Sequence, residues 1–499
     1  MTASQLFEGI DVNRIPDSEF TGIASDSRRV RPGNLFVAIR GSRFDGHDFI
    51  RDALNRGACG VLAEHEVNGI DNLILTPSAR AAESLLWYNF TGRPTDGMTK
   101  IAVTGTAGKT SCAFILRHIL RVSGRKVGAL TTVRTMAENE IIDMGENGGS
   151  SVSDIPGAMT TPDPEYFFGA AKQMKESGCD IIIYEASSQA IAMEKLRAVR
   201  PDLAMFTNLS PEHLDYHRDM EQYFSAKASL MKNAGLAVIN ADDGWMKRLP
   251  GMYPQVPAVR CSLSDSAADV WVSDIRQQDG HVHYIYHSRG AVMRMDVPMP
   301  GIYSVTNTMM CAAASILLGA DPVTVRDSLS VFCGVEGRLS RVRFPGTAAA
   351  YLPSVYIDYA HTPDSLRAAL TALREEAVGR LVVLFGCGGN RDRSKRPLMA
   401  KTAQELADLT VITGDNPRNE NPDDIIDDIL TGIGDGSPVK VIPDRREAIR
   451  WAVLNAQAED TILLAGKGHE KYEITAEGKH PFDEEKIVRE AAAVRLRMP

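Results

Sequence analysis

The sequence lacks the features that mark secreted, membrane-spanning or disulfide-rich proteins. The first residues, MTASQLFEGIDVNRIP, contain neither the basic segment nor the apolar segment of a signal peptide. No apolar run approaches the ~20 residues that a membrane-spanning helix needs. Seven cysteines are scattered without a C-x-x-C pair, a pattern typical of buried thiols in a reducing compartment rather than of disulfides or a zinc site. We therefore expect a cytoplasmic protein without membrane insertion.

Aromatic residues and excess positive charge are also scarce. Aromatics make up 6% of the 499 residues, and the net charge is −9 at pH 7. A broad nucleic-acid-binding face needs a basic surface, so we expect no nucleic-acid partner. Anionic small substrates remain compatible with this charge, because phosphate sites depend on local backbone N–H groups and a few cations.

Short apolar runs recur from Lys100 onward, each followed by a loop rich in Gly, Asn or Asp and then by a helix-like stretch. Runs that are apolar throughout are typical of strands in a buried parallel sheet. They occupy residues 101–103, 181–184, 203–206, 236–239, 355–357, 381–385, 409–412 and 461–465. With a helix predicted over 301–320, the pattern predicts an α/β protein of three domains, because the chain is too long for one core. The predicted domains are 1–96, of mixed α/β type, 97–338, a P-loop-type parallel-sheet domain, and 339–499, a Rossmann-like domain.

Polar residues stand where these runs end. In open α/β sheets, ligands bind outside the carboxyl ends of the strands. The sequence therefore predicts the reactive surfaces of the second and third domains near Thr104, Glu185, Asn208, Asn240, Asp358, Gly386, Asp415 and Gly466.

The segment 101-IAVTGTAGKTS-111 predicts a phosphate-binding loop between a strand and an amphipathic helix. Gly105 and Gly108 allow backbone N–H groups to turn toward an anion, and the helix N-terminus adds partial positive charge. Lys109 can reach the outer phosphates, and the Thr110 hydroxyl can bind Mg²⁺. The spacing G-x-x-G-K-T is shorter than that of the usual P-loop, and a plain glycine turn is the alternative.

This loop resembles the ATP loop of the Mur ligase family, and ten further segments extend the resemblance over nearly the whole chain. Together, and in the same order, they match the MurE-type, diaminopimelate-adding branch. They are 25-SDSRRVRPGNLFVAIRG-41, 160-TTPDP-164, 185-EASSQA-190, 207-TNLSPEHLDYH-217, 223-YFSAKASL-230, 240-NADD-243, 357-IDYAHTPDSL-366, 388-GGNRDRSKRP-397, 415-DNPRNENP-422 and 466-GKGHE-470.

The resemblance implies an ATP-dependent amide ligase of peptidoglycan precursor synthesis. It would add meso-2,6-diaminopimelate to UDP-N-acetylmuramoyl-L-alanyl-D-glutamate through an acyl phosphate. The first domain would bind the UDP-linked substrate, ATP would lie between the second and third domains, and the third would select the amino acid. The expected partners are small molecules, and the expected state is a monomer.

The resemblance also assigns the nucleotide and the metal. The expected ATP contacts are Gly105, Thr106, Ala107, Gly108, Lys109, Thr110, Ser111, Asn307, Arg338, Asp358 and His361. The expected Mg²⁺ ligands are Thr110, Glu185, His213 and a Lys227 carbamylated by CO₂, and the expected catalytic residues are Lys109, Glu185, His213 and Lys227. Sequence spacing by itself leaves two interpretations of Glu185 and His213 open: metal ligands, or a capping glutamate and a solvated histidine. By itself it favours a plain surface lysine at position 227.

The resemblance assigns the two other substrates to loop residues. The UDP-linked precursor would contact Ser25, Ser27, Thr160, Thr161, Ser187, Met193 and Lys195. Diaminopimelate would contact Arg391, Asp415, Asn416, Pro417, Arg418, Gly466 and Glu470. Arg418 suits the distal carboxylate, because a guanidinium pairs with carboxylates in bidentate fashion. It would repel the ammonium that lysine carries at that end. Without the resemblance, 415-DNPR-418 is simply a strong turn sequence.

Several positions depart from the family pattern. Ala107 and Ser111 replace the usual Asn and Thr of the loop, and Ser304 and Glu336 replace a usual Asn and Pro. Gln189, Met193 and Lys195 replace a usual His, Gln and Arg in the segment that handles the nucleotide-linked substrate. The alternatives are therefore a related ligase with another carboxylate acceptor, a lysine-adding enzyme, or a nucleotide-binding partner without catalysis.

Overall fold

The computed structural model describes residues 1–41, 44–70, 73–138, 140–142, 160–278, 280–344, 350–436 and 438–497. The chain forms two compact units, Met1–Arg260 and Cys261–Pro499. The predicted domain boundaries at residues 96 and 338 stay predictions.

A four-stranded parallel sheet begins the first unit. Its strands lie in chain order and are β1 (Gly22–Ala24), β2 (Asn34–Val37), β3 (Gly60–Ala63) and β4 (Ile74–Leu75). The helices are α1 (Ala3–Leu6), α2 (Ile50–Asn55) and α3 (Ala79–Phe90). Successive side chains of a strand point to opposite faces, and the neighbours Leu35 and Phe36 accordingly enter different hydrophobic clusters. Both faces of this sheet are therefore covered.

A larger sheet occupies the rest of the first unit. Its strands are β5 (Thr99–Thr104), β6 (Val127–Leu130), β7 (Thr135–Ala137), β8 (Glu140–Ile141), β9 (Ile181–Glu185), β10 (Leu203–Phe206) and β11 (Leu236–Asn240). They are ordered β11-β10-β5-β9-β6-β7-β8 and are parallel from β11 to β6. The helices are α4 (Lys109–Val122), α5 (Pro164–Glu176), α6 (Ser188–Ala192), α7 (Leu214–His217), α8 (Met220–Ala228) and α9 (Leu249–Met252). Each apolar run predicted in this region is a strand, which confirms the parallel sheet.

An antiparallel arrangement that the sequence reasoning missed begins the second unit. β12 (Ala258–Ser262) leads into β13 (Val270–Gln278), β14 (His281–Ser288) and β15 (Val292–Val297), and the last three are antiparallel. Buried and exposed residues alternate along β15, the pattern of a sheet with one solvated face. The helices α10 (Ile302–Leu317) and α11 (Pro322–Ser330) follow, so the predicted helix over 301–320 is confirmed.

A six-stranded sheet completes the second unit. Its strands are β16 (Ser340–Arg341), β17 (Ser354–Asp358), β18 (Leu381–Phe385), β19 (Leu409–Ile412), β20 (Val439–Val441) and β21 (Thr461–Ala465), and a hairpin follows with β22 (Tyr472–Thr475) and β23 (Gly478–Pro481). The order β16-β17-β21-β18-β19-β20 is parallel except for β16. The helices are α12 (Pro363–Arg374), α13 (Lys395–Leu406), α14 (Pro422–Leu430), α15 (Arg445–Asn455) and α16 (Glu484–Arg495). The four apolar runs predicted here are β17, β18, β19 and β21.

All seven cysteines lie in the described ranges and are free thiols, five of them buried, as the sequence predicted. Among the residues that the structure describes, no helix combines the length and the apolar character needed to cross a membrane.

Candidate active site

The loop between β5 and α4 is shaped by two glycines with positive φ. Gly105 has a φ of +152°, and Gly108, which caps α4, has a φ of +84°. A Cβ atom on Gly105 would lie 1.9 Å from the hydroxyl oxygen of Thr207. A side chain at this position is therefore excluded by contact as well as by backbone conformation. The loop leads directly into the N-terminus of a 14-residue helix, where backbone N–H groups favour an anion.

Asn208, at the end of the neighbouring strand β10, holds this loop in place. Its side-chain amide oxygen accepts from the Ala107 N–H at 2.9 Å, and its amide nitrogen donates to the Ala107 carbonyl at 3.1 Å. The Asn208 backbone carbonyl also accepts from the Thr106 N–H at 2.9 Å. These three bonds fix the loop backbone.

Two lysines meet at the carbonyl of Gly105. The Lys109 Nζ donates to this oxygen at 2.8 Å and to the Thr106 carbonyl at 2.8 Å. The Lys227 Nζ, whose residue is 1% exposed, donates to the same Gly105 oxygen at 2.8 Å. Burial and the nearby Lys109 charge hold the pKa of Lys227 well below its usual value, partly offset by Glu212. Lys227 is thus buried against the loop rather than exposed on the surface.

Glu185 ends β9 as a buried carboxylate with fixed partners. Its Oε1 accepts from the Thr132 N–H at 2.9 Å, and its Oε2 accepts from the Thr132 hydroxyl at 3.1 Å. The hydroxyl of Thr161 donates to the Glu185 backbone carbonyl at 2.7 Å. Thr132 follows β6, the strand beside β9, and the sequence reasoning did not select it.

Tyr223 connects the loop with the other predicted metal ligands. Its hydroxyl lies 3.1 Å from the Thr106 hydroxyl, and its ring lies 4.8 Å from the Lys227 Nζ. The His213 ring packs edge-on against it, and the His213 Nε2 lies 3.7 Å from a carboxylate oxygen of Glu212. Sequence reasoning missed Tyr223, although it stands four residues before Lys227 on α8 and so shares its helix face.

The predicted metal ligands can be compared with what Mg²⁺ requires. Within the described part of the chain, no three His, Cys, Asp or Glu side chains converge on one point. Mg²⁺ generally keeps several waters and takes only one or two protein carboxylates, so such a group is not required. The available donors are of the right chemistry, because the buried Glu185 carboxylate and the buried Thr110 hydroxyl both supply oxygen.

A network of hydroxyl groups follows Glu185. The Thr161 hydroxyl accepts from the Ser187 N–H at 2.9 Å and lies 3.1 Å from the Ser187 hydroxyl. The neighbouring Ser188 hydroxyl lies 2.9 Å from Nε2 of the buried His217, a contact that the sequence reasoning missed. Of the predicted precursor contacts, Thr161 and Ser187 are therefore brought together, and Thr160 precedes them in the chain.

Lys195 and Met193 follow α6. The Lys195 Nζ forms an ion pair of 2.7 Å with Asp163, the residue of TTPDP that caps α5. Its backbone carbonyl accepts from the Ser84 hydroxyl of α3 at 2.8 Å. Met193 caps the C-terminus of α6. The segment 189–195, which contains the residues that depart from the family pattern, is therefore hydrogen-bonded to α3.

The predicted serines of the first sheet contact carboxylates. The buried Ser27 opens a 3-10 turn capped by Asp26, and its side chain bonds to Asp52. Ser25 bonds to Glu83 of α3, a half-buried carboxylate missed from the sequence. Burial, with a contribution from the Asp163 charge, raises the pKa of Glu83 to about 7, against the lowering effects of Ser25, Lys195 and Arg80.

In the second unit, the predicted ATP contacts around β17 are organised by Asp358. Its carboxylate oxygens accept from the Leu339 N–H at 2.6 Å and from the Ala360 N–H at 2.7 Å. Burial raises the pKa of Asp358, and the Arg338 charge opposes this. The Arg338 guanidinium lies 4.8 Å from the Tyr359 ring, and the His361 Nδ1 lies 2.8 Å from the Tyr359 carbonyl. Asn307 is buried on α10.

The DNPR turn follows β19 and is held by β22 and by the loop that follows β18. Arg418 has a φ of +55°, its N–H donates to the Ile474 carbonyl at 3.0 Å, and its Nη1 donates to the Gly389 carbonyl at 2.9 Å. The Asn416 amide donates to the Glu470 carboxylate at 2.8 Å. The structure therefore brings together Asn416, Arg418 and Glu470, three of the predicted amino-acid contacts.

The remaining predicted contacts lie in the adjoining segments. Gly466, with a φ of +117°, follows β21, and a Cβ atom there would lie 3.1 Å from the Asp415 carboxylate. Pro417 lies within the turn, and its carbonyl faces Gly389. Arg391 lies in the loop between β18 and α13, as Gly389 does, and its Nη1 is 3.2 Å from the Asn390 carbonyl. The sequence reasoning missed Lys467, which is fully buried beside this turn.

Comparison with known proteins gives one consistent result. The chain matches the family models described as Mur ligase family, catalytic domain (residues 19–84), Mur ligase middle domain (residues 103–315) and Mur ligase, glutamate ligase domain (residues 337–468). The UDP-N-acetylmuramoyl-L-alanyl-D-glutamate–2,6-diaminopimelate ligase of Gloeobacter violaceus is 37% identical, with 99% of each chain covered. The ligase of the same name from Caldanaerobacter subterraneus is 36% identical, again with 99% of each covered.

Solved structures agree over the whole chain. A structure of a UDP-N-acetylmuramoyl-L-alanyl-D-glutamate–2,6-diaminopimelate ligase has a TM-score of 0.70 at 28% identity and covers 100% of both chains. A crystal structure of MurF from Acinetobacter baumannii has a TM-score of 0.62 at 17% identity and covers 99% of this chain and 98% of that one. The second likeness concerns the fold alone.

Proposed function

The chain belongs to the Mur ligase family, and we propose that it adds meso-2,6-diaminopimelate to UDP-N-acetylmuramoyl-L-alanyl-D-glutamate at the expense of ATP. One structural observation carries this proposal furthest. The buried Lys227 ammonium shares the Gly105 carbonyl with Lys109, so a lysine of α8 contacts the backbone of the phosphate loop. A helix with a purely structural role would not need a buried lysine at this contact.

The proposed ATP contacts begin with the phosphate loop. They are Gly105, Thr106, Ala107, Gly108, Lys109, Thr110 and Ser111, and the others are Asn307, Arg338, Asp358 and His361. Backbone N–H groups of the loop and the Lys109 ammonium neutralise the phosphates. The fixed loop backbone supports this role, because preorganised donors need no rearrangement when charge develops.

Mg²⁺ is proposed to be held by Thr110, Glu185, His213 and a carbamylated Lys227. When bound, it would neutralise charge on the phosphates of the nucleotide. Carbamylation requires a neutral amine, and the lowered pKa of Lys227 supplies one. Reaction with CO₂ forms an N–C bond and releases a proton. The resulting carbamate gives the lysine a carboxylate-like oxygen ligand.

The proposed reaction has two steps. The side-chain carboxylate of the D-glutamate attacks the γ-phosphate of ATP, the bond to the bridging oxygen breaks, and ADP leaves. The amine of diaminopimelate then attacks the acyl carbon, the C–O bond to phosphate breaks, and the amine loses a proton as the amide forms. Lys109 and Arg338 supply countercharge, and most of the acceleration comes from positioning and charge neutralisation.

The nucleotide-linked acceptor is proposed to contact Ser25, Ser27, Thr160, Thr161, Ser187, Met193 and Lys195. The bonded hydroxyls of Thr161 and Ser187 support this assignment. A related ligase with another carboxylate acceptor is the second candidate, and the unusual Gln189, Met193 and Lys195 favour it. Lys195 is a compact charge held by Asp163, whereas an arginine would present a planar fork.

The amino acid is proposed to contact Arg391, Asp415, Asn416, Pro417, Arg418, Gly466 and Glu470. Arg418 would pair with the distal carboxylate, and the Glu470 carboxylate would accept an ammonium group. Lysine has no distal carboxylate and would bring a second cation to Arg418. Cytoplasmic location and a monomeric state remain predictions.

Ligation by the purified chain tests the proposal directly. ATP, Mg²⁺ and the UDP-linked dipeptide are incubated with diaminopimelate or lysine, and products are followed by phosphate release and mass spectrometry. A panel of other nucleotide-linked and free carboxylic acids tests the second candidate. We expect diaminopimelate-dependent amide formation that Lys109→Met and Arg418→Ala nearly abolish. The exposed Lys247→Met and Arg393→Ala serve as matched controls. ATP hydrolysis that ignores both co-substrates would contradict the proposal.

A further inference from the structure

Lys467 is a fully buried cation beside the DNPR turn. Its Nζ donates to the Asn416 side-chain oxygen at 2.9 Å and to the Tyr472 carbonyl at 2.9 Å, and it lies 3.4 Å from an Asp415 carboxylate oxygen. A buried ammonium is costly unless it is paired and hydrogen-bonded. Here the carboxylate and both oxygen acceptors supply those partners, so the lysine has a defined position.

These bonds determine the orientation of the Asn416 amide. Its oxygen accepts from two donors, the Lys467 ammonium at 2.9 Å and the Ile474 N–H at 3.0 Å. Neither donor can face the amide nitrogen, which itself only donates. The nitrogen must therefore point the other way, where it donates to Oε2 of Glu470 at 2.8 Å. A chain of contacts thus runs from Lys467 through Asn416 to Glu470.

The charge of Lys467 acts on two carboxylates. Burial alone would raise the pKa of Asp415, but Lys467, Arg445 and Arg418 bring it below its usual value. Burial and the Asp415 charge raise the pKa of Glu470, and Lys467, Asn416 and Arg418 limit that rise. Both groups therefore depend on Lys467 for part of their ionisation.

Other charged and titratable groups act on this pair as well. Those that interact with Asp415 or Glu470 include Lys467, Arg418, Arg445, Tyr359 and Cys387. Arg445 is itself engaged by Glu484 at 2.8 Å. Lys467 bonds to the Asn416 side chain, which in turn bonds to Glu470.

We propose that Lys467 is a positioning residue for amino-acid recognition, which fixes Asn416 and keeps Glu470 available as a carboxylate for the ammonium group of the substrate. This inference rests on the proposed function and extends it to a residue that need not touch the substrate. Loss of the cation should therefore weaken binding of the amino acid while binding of ATP and of the acceptor is unchanged.

The test compares Lys467→Met, Lys467→Arg and the control Arg380→Met. Arg380 pairs with the buried Asp460 at the beginning of β18, at the opposite end of the strands, so its loss tests general destabilisation of the same sheet. For each variant, kcat and the KM values for diaminopimelate, ATP and acceptor are measured across pH, with thermal unfolding as a check of folding.

Lys467→Met should raise the KM for diaminopimelate about 10- to 100-fold, the range expected when a bond to a charged group is lost. The acidic limb of its kcat/KM profile should move to higher pH, because Glu470 then becomes protonated more easily. Lys467→Arg keeps the charge, so the limb should return toward that of the parent while KM stays raised. Arg380→Met should leave both quantities unchanged.

Two results would overturn the inference. One is a folded Lys467→Met protein whose KM for diaminopimelate and acidic limb match those of the parent. The other is a parallel rise in the KM values for ATP and acceptor, which indicates a general structural role. If the parent joins a different amino acid, the proposed function fails, and the same comparison made with that amino acid still tests Lys467.

Discussion

The ammonium groups of Lys109 and Lys227 donate to the same carbonyl oxygen, that of Gly105, each at 2.8 Å. Two like charges at one acceptor repel each other, and the buried partner is the one that loses charge more easily. Burial and the nearby Lys109 charge accordingly lower the pKa of Lys227. In the proposed function, Lys109 would contact the phosphates and the Lys227 amine would react with CO₂.

Activity should depend on dissolved CO₂. Removing CO₂ should slow ligation, and added bicarbonate should restore it, because only the carbamate gives Lys227 an oxygen ligand. With ¹³C-bicarbonate, a carbamate signal should appear in the NMR spectrum of the parent and be absent from Lys227→Met. The exposed Lys232→Met should keep both signal and activity. Full activity of the parent in CO₂-free buffer would argue against carbamylation.

Gly105→Ala should damage the phosphate loop. The added Cβ would lie 1.9 Å from the Thr207 hydroxyl and 3.1 Å from the Asn208 nitrogen, and such overpacking costs about 1–3 kcal/mol. ATP affinity and the free energy of unfolding should both fall, as measured by calorimetric titration and denaturant unfolding. Gly244→Ala is the control, because its Cβ would meet nothing within 4 Å. Equal ATP affinity in both variants would contradict this prediction.

Arg418 should control the choice of amino acid. Arg418→Ala should lower kcat/KM for diaminopimelate. The corresponding loss of transition-state stabilisation should be about 2–5 kcal/mol, as expected when one partner of a buried charge pair is truncated. Discrimination against lysine should shrink at the same time, because the repelling cation is gone. Competition between the two amino acids, read by mass spectrometry, measures both effects. Arg393→Ala, which removes a surface pair with Asp428, should change neither. A preference that survives in Arg418→Ala would exclude this role.

Stability should fall as pH rises from about 4.5 to about 7 because of Glu83. Its folded pKa of about 7 lies above the ordinary value of 4.5. The folded state therefore retains a proton that the unfolded chain has lost, and stability decreases as pH rises through this window. Glu83→Gln cannot ionise, so its unfolding temperature should decline less than that of the parent over the same range. The exposed Glu176→Gln should behave like the parent. Identical pH slopes for parent and Glu83→Gln would refute the assignment.

Local sequence chemistry was sufficient for much of the fold and for the phosphate loop. Strands such as 381-LVVLF-385 are buried on both faces, so their composition identifies them without knowledge of their partners. The loop from Gly105 to Thr110 is likewise short-range, since its glycines and the helix that follows are consecutive. The antiparallel strands β13 to β15 were missed because one face is solvated and their apolar residues merely alternate.

The sequence by itself determined the parallel sheets, the glycine loop and the polar residues at the strand ends. Tertiary structure alone decided that Lys227 is buried 122 positions from the carbonyl it contacts, and that Tyr223, Glu83 and Lys467 belong to the candidate site. The physical reason is that burial and charge proximity are properties of spatial neighbours. A lysine on a helix has the same local sequence whether it faces water or a phosphate loop.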